Sequence, residues 1–492
     1  MWQFFWCKLT KLRFGIMNLK LNLQAPKFLE LWWQSSQMSA LFNGLTKRLT
    51  TWRQGSNVVN FGLVGVMMLA LLVALPYISN NQAGLIAMSI AAFWILLWLS
   101  RDRSANDTSS FNWTPIHLPL TIYWSIASFA TILSPVKKAA ADGWVKLTIY
   151  FLLFAVMNCL MRLSETGRIK WRSLLIGAYL LTTIAVCVYG LRQWVLGAAE
   201  LATWTDPTSE LVGTTRVYSF LNNPNLLAGY LMPAIPLGVV GAMHWRNWGV
   251  KTASALVSIA SFICIRETYS RGGFIGLCAE GLVLVILLTY WWGQKLPKWS
   301  LPVTLGGIPA LVALAAIAIP TVRSRFASIF SGRGDSSNNF RLNVWYSVLD
   351  MIKHRPILGI GPGNKAFNQI YPTYQRSGYS ALGAYSVPLE IASESGLVGL
   401  ACYVWLVVVV VQQGWQNLQR LRQERKSEGL WIIGALSSIA GLMAHGLVDT
   451  VWYRPQVQIL WWLVIAIVAS FCIQPPDVSL SETELSDRSI EN

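Results

Sequence analysis

Six arginines carry the first chemical hint in this chain. Arg216 stands just before Ser219-Phe220-Leu221-Asn222-Asn223-Pro224-Asn225, and Arg271 lies within Tyr269-Ser270-Arg271-Gly272-Gly273. Arg323, Arg325 and Arg341 fall in one long stretch between apolar runs, and Arg454 precedes the last run. A guanidinium is permanently charged and offers a planar fork of donors, so it suits phosphate and carboxylate ligands. Two glycines after Arg271 would let a helix N-terminus come close to an anion. Arginines at helix ends also snorkel to lipid headgroups, which is the reading for Arg246 and Arg420. For Arg216, Arg271 and Arg341 both roles stay open.

Carboxylates and histidines add fewer leads. His445 and Asp449 have the i,i+4 spacing that places two side chains on one helical face, where a carboxylate orients an imidazole. Together with Tyr385 they are the candidate catalytic groups. Glu280 stands alone inside an apolar run and is a candidate for ion or proton coupling. Glu390 and Glu394 open a run, where acids are a normal structural preference at a helix N-terminus. His117, His244 and His354 are scattered, and the seven cysteines show no metal spacing, so no metal site and no cofactor are expected. Gly359–Gly363 lacks the Lys and the strand–turn–helix context of a phosphate-binding loop.

The elements that must position these groups are apolar helices. The chain of 492 residues is 54% hydrophobic and only 12% charged, about half the charge of an ordinary soluble domain. Runs near the ~20 residues needed to cross a bilayer recur throughout. We expect an all-α polytopic membrane protein with twelve spans near 58–79, 84–100, 116–134, 145–161, 174–191, 225–243, 250–265, 273–292, 301–320, 395–412, 430–448 and 458–474. A basic N-terminal tail (1–57) precedes the membrane domain (58–474). It reads as a segment lying on an anionic leaflet rather than a secretory signal. An acidic, disordered tail (475–492) follows.

Short inner gaps such as Arg162–Arg172 and Arg420–Lys426 are basic, which puts both termini in the cytoplasm. Lys137 and Lys138 run against that rule. The formal charge of +17 reflects membrane orientation rather than nucleic-acid binding. Two long external segments, 192–224 and 321–388, exceed turn length and so read as functional or structured. The second holds a helical pattern around Phe340, Val344, Leu349 and Met351, ended by Pro356. Its Tyr371, Tyr374 and Tyr379 suit an interface position.

Taken together, Arg216–Tyr230, Thr268–Gly273, Gly332–Trp345, Gly359–Asn368, Tyr385–Gly396 and His445–Pro455 resemble the O-antigen ligase and polymerase superfamily. They are closer to a cyanobacterial branch linked to inorganic carbon and described as bicarbonate transporters. The superfamily resemblance implies transfer of a glycan from a polyprenyl diphosphate to an acceptor outside the cytoplasm. Arginines would hold the diphosphate, and no metal would be needed. Arg216, Arg271 and Arg341 fall on matching positions. The ligases carry a His-Asn pair where this chain has Tyr385 and Ser386, although the Leu389 and Glu394-Ser395-Gly396 frame is kept. A phenol of pKa about 10 is a poor base at neutral pH.

The branch implies bicarbonate transport, in the plasma membrane or the thylakoid, with membrane lipids as neighbours. The ligase reading is the alternative, and an accessory subunit is a third. Against transport, the sequence shows no inverted repeat and no pair of broken helices.

Overall fold

The computed structural model describes residues 61–100, 114–166, 169–199, 216–293 and 336–473, with a few more between 296 and 307. Most of the expected span 301–320, both tails, Arg323 and Arg325 lie outside the described residues. The chain divides into two units, 1–60 with 95–106 and 61–94 with 107–492. Every side chain discussed below belongs to the second.

Among the described residues the fold is all-α. The long elements are α1 (Phe61–Ala74), α2 (Asn80–Leu99), α3 (His117–Ile132), α4 (Lys137–Thr166), α5 (Trp171–Leu196), α6 (Pro224–Leu231), α7 (Ala234–His244), α8 (Trp248–Glu267) and α9 (Arg271–Trp292). They continue as α10 (Ser336–His354), α11 (Asn364–Ile370), α12 (Val387–Gln423), α13 (Gly429–Gly446) and α14 (Pro455–Ser470). Among the described residues, eight helices are long and apolar enough to cross a membrane, with α6 and α7 forming one of them. α1 and α14 are apolar but shorter. The free cysteines Cys187, Cys264, Cys402 and Cys472 are buried packing groups.

Helices that are apolar all round belong at the centre. All residues of α14 are buried, and α13 is nearly so. α13 packs along α9, α7 and α12, while α14 packs along α4. Small residues allow close approach: a Cβ at Gly65 of α1 would lie 2.2 Å from the Trp171 ring of α5.

Several elements differ from the sequence expectation, each for a physical reason. α4 starts at Lys137, eight residues before the expected span, because its first three turns carry Lys137, Lys138, Asp142 and Lys146. A hydropathy window passes over such residues. Asn80–Ala83, expected as a gap, is the first turn of α2. The run 225–243 is interrupted at Met232-Pro233, where a proline removes a backbone donor. Tyr371 is not interfacial: it is 1% exposed, stacks on Phe367 and donates to the Tyr379 carbonyl at 2.7 Å. With Val344, Val348, Met351 and Phe367 it forms the core of the segment between α9 and α12.

The main departure lies in α12. Its backbone breaks at Gly396, which has φ 71° and ψ −176°. Freed from the helical ladder, the carbonyls of Ser393 and Glu394 accept from the N–H groups of Ile360 and Gly361, both at 2.9 Å. Leu397 N–H donates to the Pro356 carbonyl at 2.7 Å. The glycine-rich turn thus docks on the broken helix backbone to backbone, and the polar groups released by the break are satisfied. Only glycine fits there: a Cβ at Gly396 would meet the Ile357 carbonyl oxygen at 2.0 Å. The broken helix that the sequence did not reveal is therefore present.

Candidate functional site

A cavity of about 380 Å³ opens between the turn 362–365, the first turns of α12, the start of α4 and the segment 449–455. It is lined by Tyr385, Glu390, Glu394, Asp449, Tyr453 and Arg454, and by Asn80, Asn81, Asp142, Lys146, Tyr150, Asn223, Asn225, Asn364 and Lys365 among others. The short first part of α12, ahead of the Gly396 break, delivers Glu390 and Glu394. The polar opening turns of α4 deliver Asp142 and Lys146, and Asp142 pairs with Lys365.

One wall of the cavity connects to three of the arginines. Asn223 caps α6, its side chain accepting from Asn225 N–H at 2.9 Å and Leu226 N–H at 3.1 Å, with Pro224 at the first helical position. That cap fixes Asn225, whose Nδ2 donates to Asp449 Oδ2 at 2.7 Å. Arg216 donates from Nε to the Thr268 carbonyl at 2.9 Å and from Nη2 to Asn225 Oδ1 at 3.4 Å. Arg341 of α10 lies 3.7 Å from Asp449 Oδ2. Arg271 opens α9 behind the Ser270 cap and donates to Asn338 Oδ1 at 2.7 Å. Asn338 is three residues before Arg341 on the same helix, so one helical turn separates the two anchor points. Arg454 is exposed and stands at the cavity itself.

His445 and Asp449 do not share a helical face. α13 ends at Gly446, and the chain turns before Asp449. The His445 ring is fully buried, and neither ring nitrogen has a hydrogen-bond partner among the described residues. Gly272 packs against it: a Cβ there would lie 2.5 Å from its Cδ2. Asp449 holds Asn225, Arg341 and the Thr450 N–H instead.

Tyr385 lines the cavity with a left-handed backbone, φ 51°. That conformation is costly for an aromatic residue, roughly 1–3 kcal/mol, and needs support. Support comes from both sides: Glu390 Oε2 accepts the Ala384 N–H at 2.5 Å, and the ring sits edge-on to Phe340 at 5.6 Å. Burial, then the nearby Asp449 charge, push the Tyr385 phenol up from its ordinary range. Tyr453 is raised further, by burial and by Glu390 and Glu394. Its hydroxyl donates to Glu394 Oε1 at 2.5 Å, and the same oxygen accepts the Gly363 N–H at 2.8 Å.

Glu280 lies elsewhere. It is 1% exposed in α9, packed on Gly441 of α13, and neither carboxyl oxygen has a partner among the described residues. The cavity does not include it.

Of the residues singled out from the sequence, Tyr385, Asp449 and Arg454 line the cavity, and Arg216 and Arg341 reach it through Asn225 and Asp449. Sequence reasoning passed over Asn225, Asp142, Lys146 and Tyr453 and read Glu390 and Glu394 as helix-end charges. The Asn223-Pro224 cap and the Asp142/Lys146 i,i+4 pair were the available signals.

No curated protein matches the chain. Residues 255–404 match the family described as O-antigen ligase, a segment that holds Arg271, Arg341, Tyr385, Glu390 and Glu394. The helices and this match make the chain a polytopic membrane protein related to the O-antigen ligase family.

Proposed function

We propose that this protein is a glycosyltransferase of the ligase or polymerase kind, moving a glycan from a polyprenyl diphosphate to an acceptor hydroxyl on the non-cytoplasmic face. One observation carries the reading: the segment matched to the family supplies Arg271 and Arg341, and side-chain contacts link Arg341 to Arg216 through Asp449 and Asn225. A leaving diphosphate gains charge as the glycosidic bond breaks. Fixed guanidinium groups stabilise that charge without reorganising. The cavity volume falls within the roughly 300–1,000 Å³ typical of small-molecule sites. That is ample for a sugar. The comparisons offer nothing in favour of bicarbonate transport or the inorganic-carbon branch. Tyr385, raised by burial, is no base near neutral pH, so the proton must go elsewhere.

The test uses the full chain in lipid nanodiscs with an oligosaccharide on a short-chain polyprenyl diphosphate. Donor binding and transfer to a saccharide acceptor are expected. Arg271→Ala and Arg341→Ala should each lower kcat by about 10²–10³-fold, the usual cost of losing one donor to a developing oxyanion. Wild-type protein that binds no donor, yet carries labelled bicarbonate into liposomes, would replace this reading with the transport one.

A further inference from the structure

Glu390 is the least explained group at the cavity. It is 2% exposed, its Oε2 accepts the Ala384 N–H, and the Tyr453 hydroxyl that bonds Glu394 also lies beside its carboxyl group. Oε1 has no hydrogen-bond partner among the described residues. A buried carboxylate oxygen left without a donor is costly, and such groups are kept where a site needs them. A helix-dipole role does not account for it, because that role is satisfied equally well by an exposed acid in the first turn.

Glu394, one turn on, differs. Its Oε1 already accepts from Gly363 N–H and Tyr453 Oη, so it holds the turn and the 451–453 segment in place. Gly383 lies directly against the Glu390 carboxyl group: a Cβ there would sit 3.2 Å from Oε2 and 3.6 Å from Oε1. Asn80, Asn81 and Asn223 line the same cavity, as does the Tyr150 ring. Carboxamides offer both donors and acceptors, which sugar hydroxyls require, and an aromatic ring offers an apolar face to a sugar's C–H groups.

We propose that this cavity binds the hydroxyl-bearing saccharide acceptor and that Glu390 Oε1 receives the proton of the attacking hydroxyl. The inference rests on the glycosyltransferase reading and deepens it. The acceptor oxygen bonds to the anomeric carbon while its proton passes to the Glu390 carboxylate. The bond from that carbon to the diphosphate oxygen breaks, and its electron pair leaves with the polyprenyl diphosphate. The arginine group, joined to the cavity through Asp449, balances that charge. Glu390 takes the part that Tyr385 cannot. Glu394 is a positioning residue, fixing the turn that closes the cavity.

The experiment compares wild type, Glu390→Gln and Glu390→Asp in nanodiscs, measuring donor binding, kcat, acceptor KM and the pH profile. Glu390→Gln keeps the shape and the acceptor for Ala384 N–H. Its kcat should fall at least ~10²-fold, the lower end for loss of a general base, with donor Kd unchanged within about twofold. The rise of kcat with pH should flatten in that variant and return in part with Glu390→Asp. Gly383→Ala, which crowds the carboxylate, should raise acceptor KM more than it lowers kcat. Transfer by Glu390→Gln at the wild-type rate and pH profile would overturn the assignment while leaving the glycosyltransferase reading intact. Loss of donor binding and of thermal stability together in Glu390→Gln would make the residue structural and overturn it as well. Wild-type protein that binds no polyprenyl-diphosphate sugar would remove both readings.

Discussion

Asn225 and Asp449 meet side chain to side chain, the carboxamide Nδ2 donating to carboxylate Oδ2 across 2.7 Å. They join two arginines that the chain holds far apart in sequence: Arg216 reaches Asn225 Oδ1, and Arg341 approaches the same Asp449 oxygen. One carboxylate between two guanidinium groups leaves a net positive charge. The arrangement is therefore both ordered and still attractive to an anion.

Asp449→Ala should lower stability by about 1–3 kcal/mol, because it leaves the donors of Asn225 and Arg341 without their acceptor in a mostly buried place. A double-mutant cycle with Arg341→Ala, read as apparent Tm in detergent, should show the two losses to be non-additive. Strict additivity would mean that the 3.7 Å approach contributes nothing.

Arg216→Lys should behave as a loss rather than a conservative change. A single ammonium cannot span both the Thr268 carbonyl and Asn225 Oδ1 in the way the planar fork does. Donor affinity is expected to weaken by at least about tenfold, or ~1.4 kcal/mol. Donor affinity equal to wild type in the Lys variant would show that charge alone suffices.

Tyr385→Phe should keep transfer within a few-fold of wild type between pH 6 and 9. The phenol is raised above its ordinary value near 10, so it is neutral throughout that window and supplies no tyrosinate. The sign is clear: a raised phenol ionises later, so any limb it caused would lie above pH 10. A kcat limb below pH 9 that vanishes in the Phe variant would contradict this.

Gly396→Ala should abolish folded protein, or cost well over ~3 kcal/mol, since the added carbon would lie 2.0 Å from a backbone oxygen and would need a positive φ. Gly177→Ala is the control. No atom lies within 4 Å of a Cβ there, and no loss is expected. Expression level and apparent Tm separate the two.

Much of the scaffold was legible because lipid selects long apolar runs, and those runs mark helices whatever their tertiary partners. Arg216, Arg271 and Arg341 were legible because charges beside such runs stand out. The hydrogen bonds that join them were not, since Asn225 and Asp449 are 224 residues apart. The Gly396 break was hidden for a different reason. A glycine inside an apolar helix is common, and only its pairing with Gly359–Gly361 gives it meaning. The His445–Asp449 pairing was misread because helical spacing was extended past Gly446, where the helix stops. Glu390 looked ordinary because position in a first turn says nothing about burial.

The interruption of α12 separates chemistry from anchorage within a single helix. An inserted residue ahead of Gly396 would swing Glu390 by about 100° around the axis, as 3.6 residues per turn dictates. The same insertion beyond Leu397 would leave the carboxylates where they are, because the docked turn holds the upper piece independently of the lower. The positions of Glu390 and Glu394 are thus set by the docked turn and not by the length of the helix beyond the break.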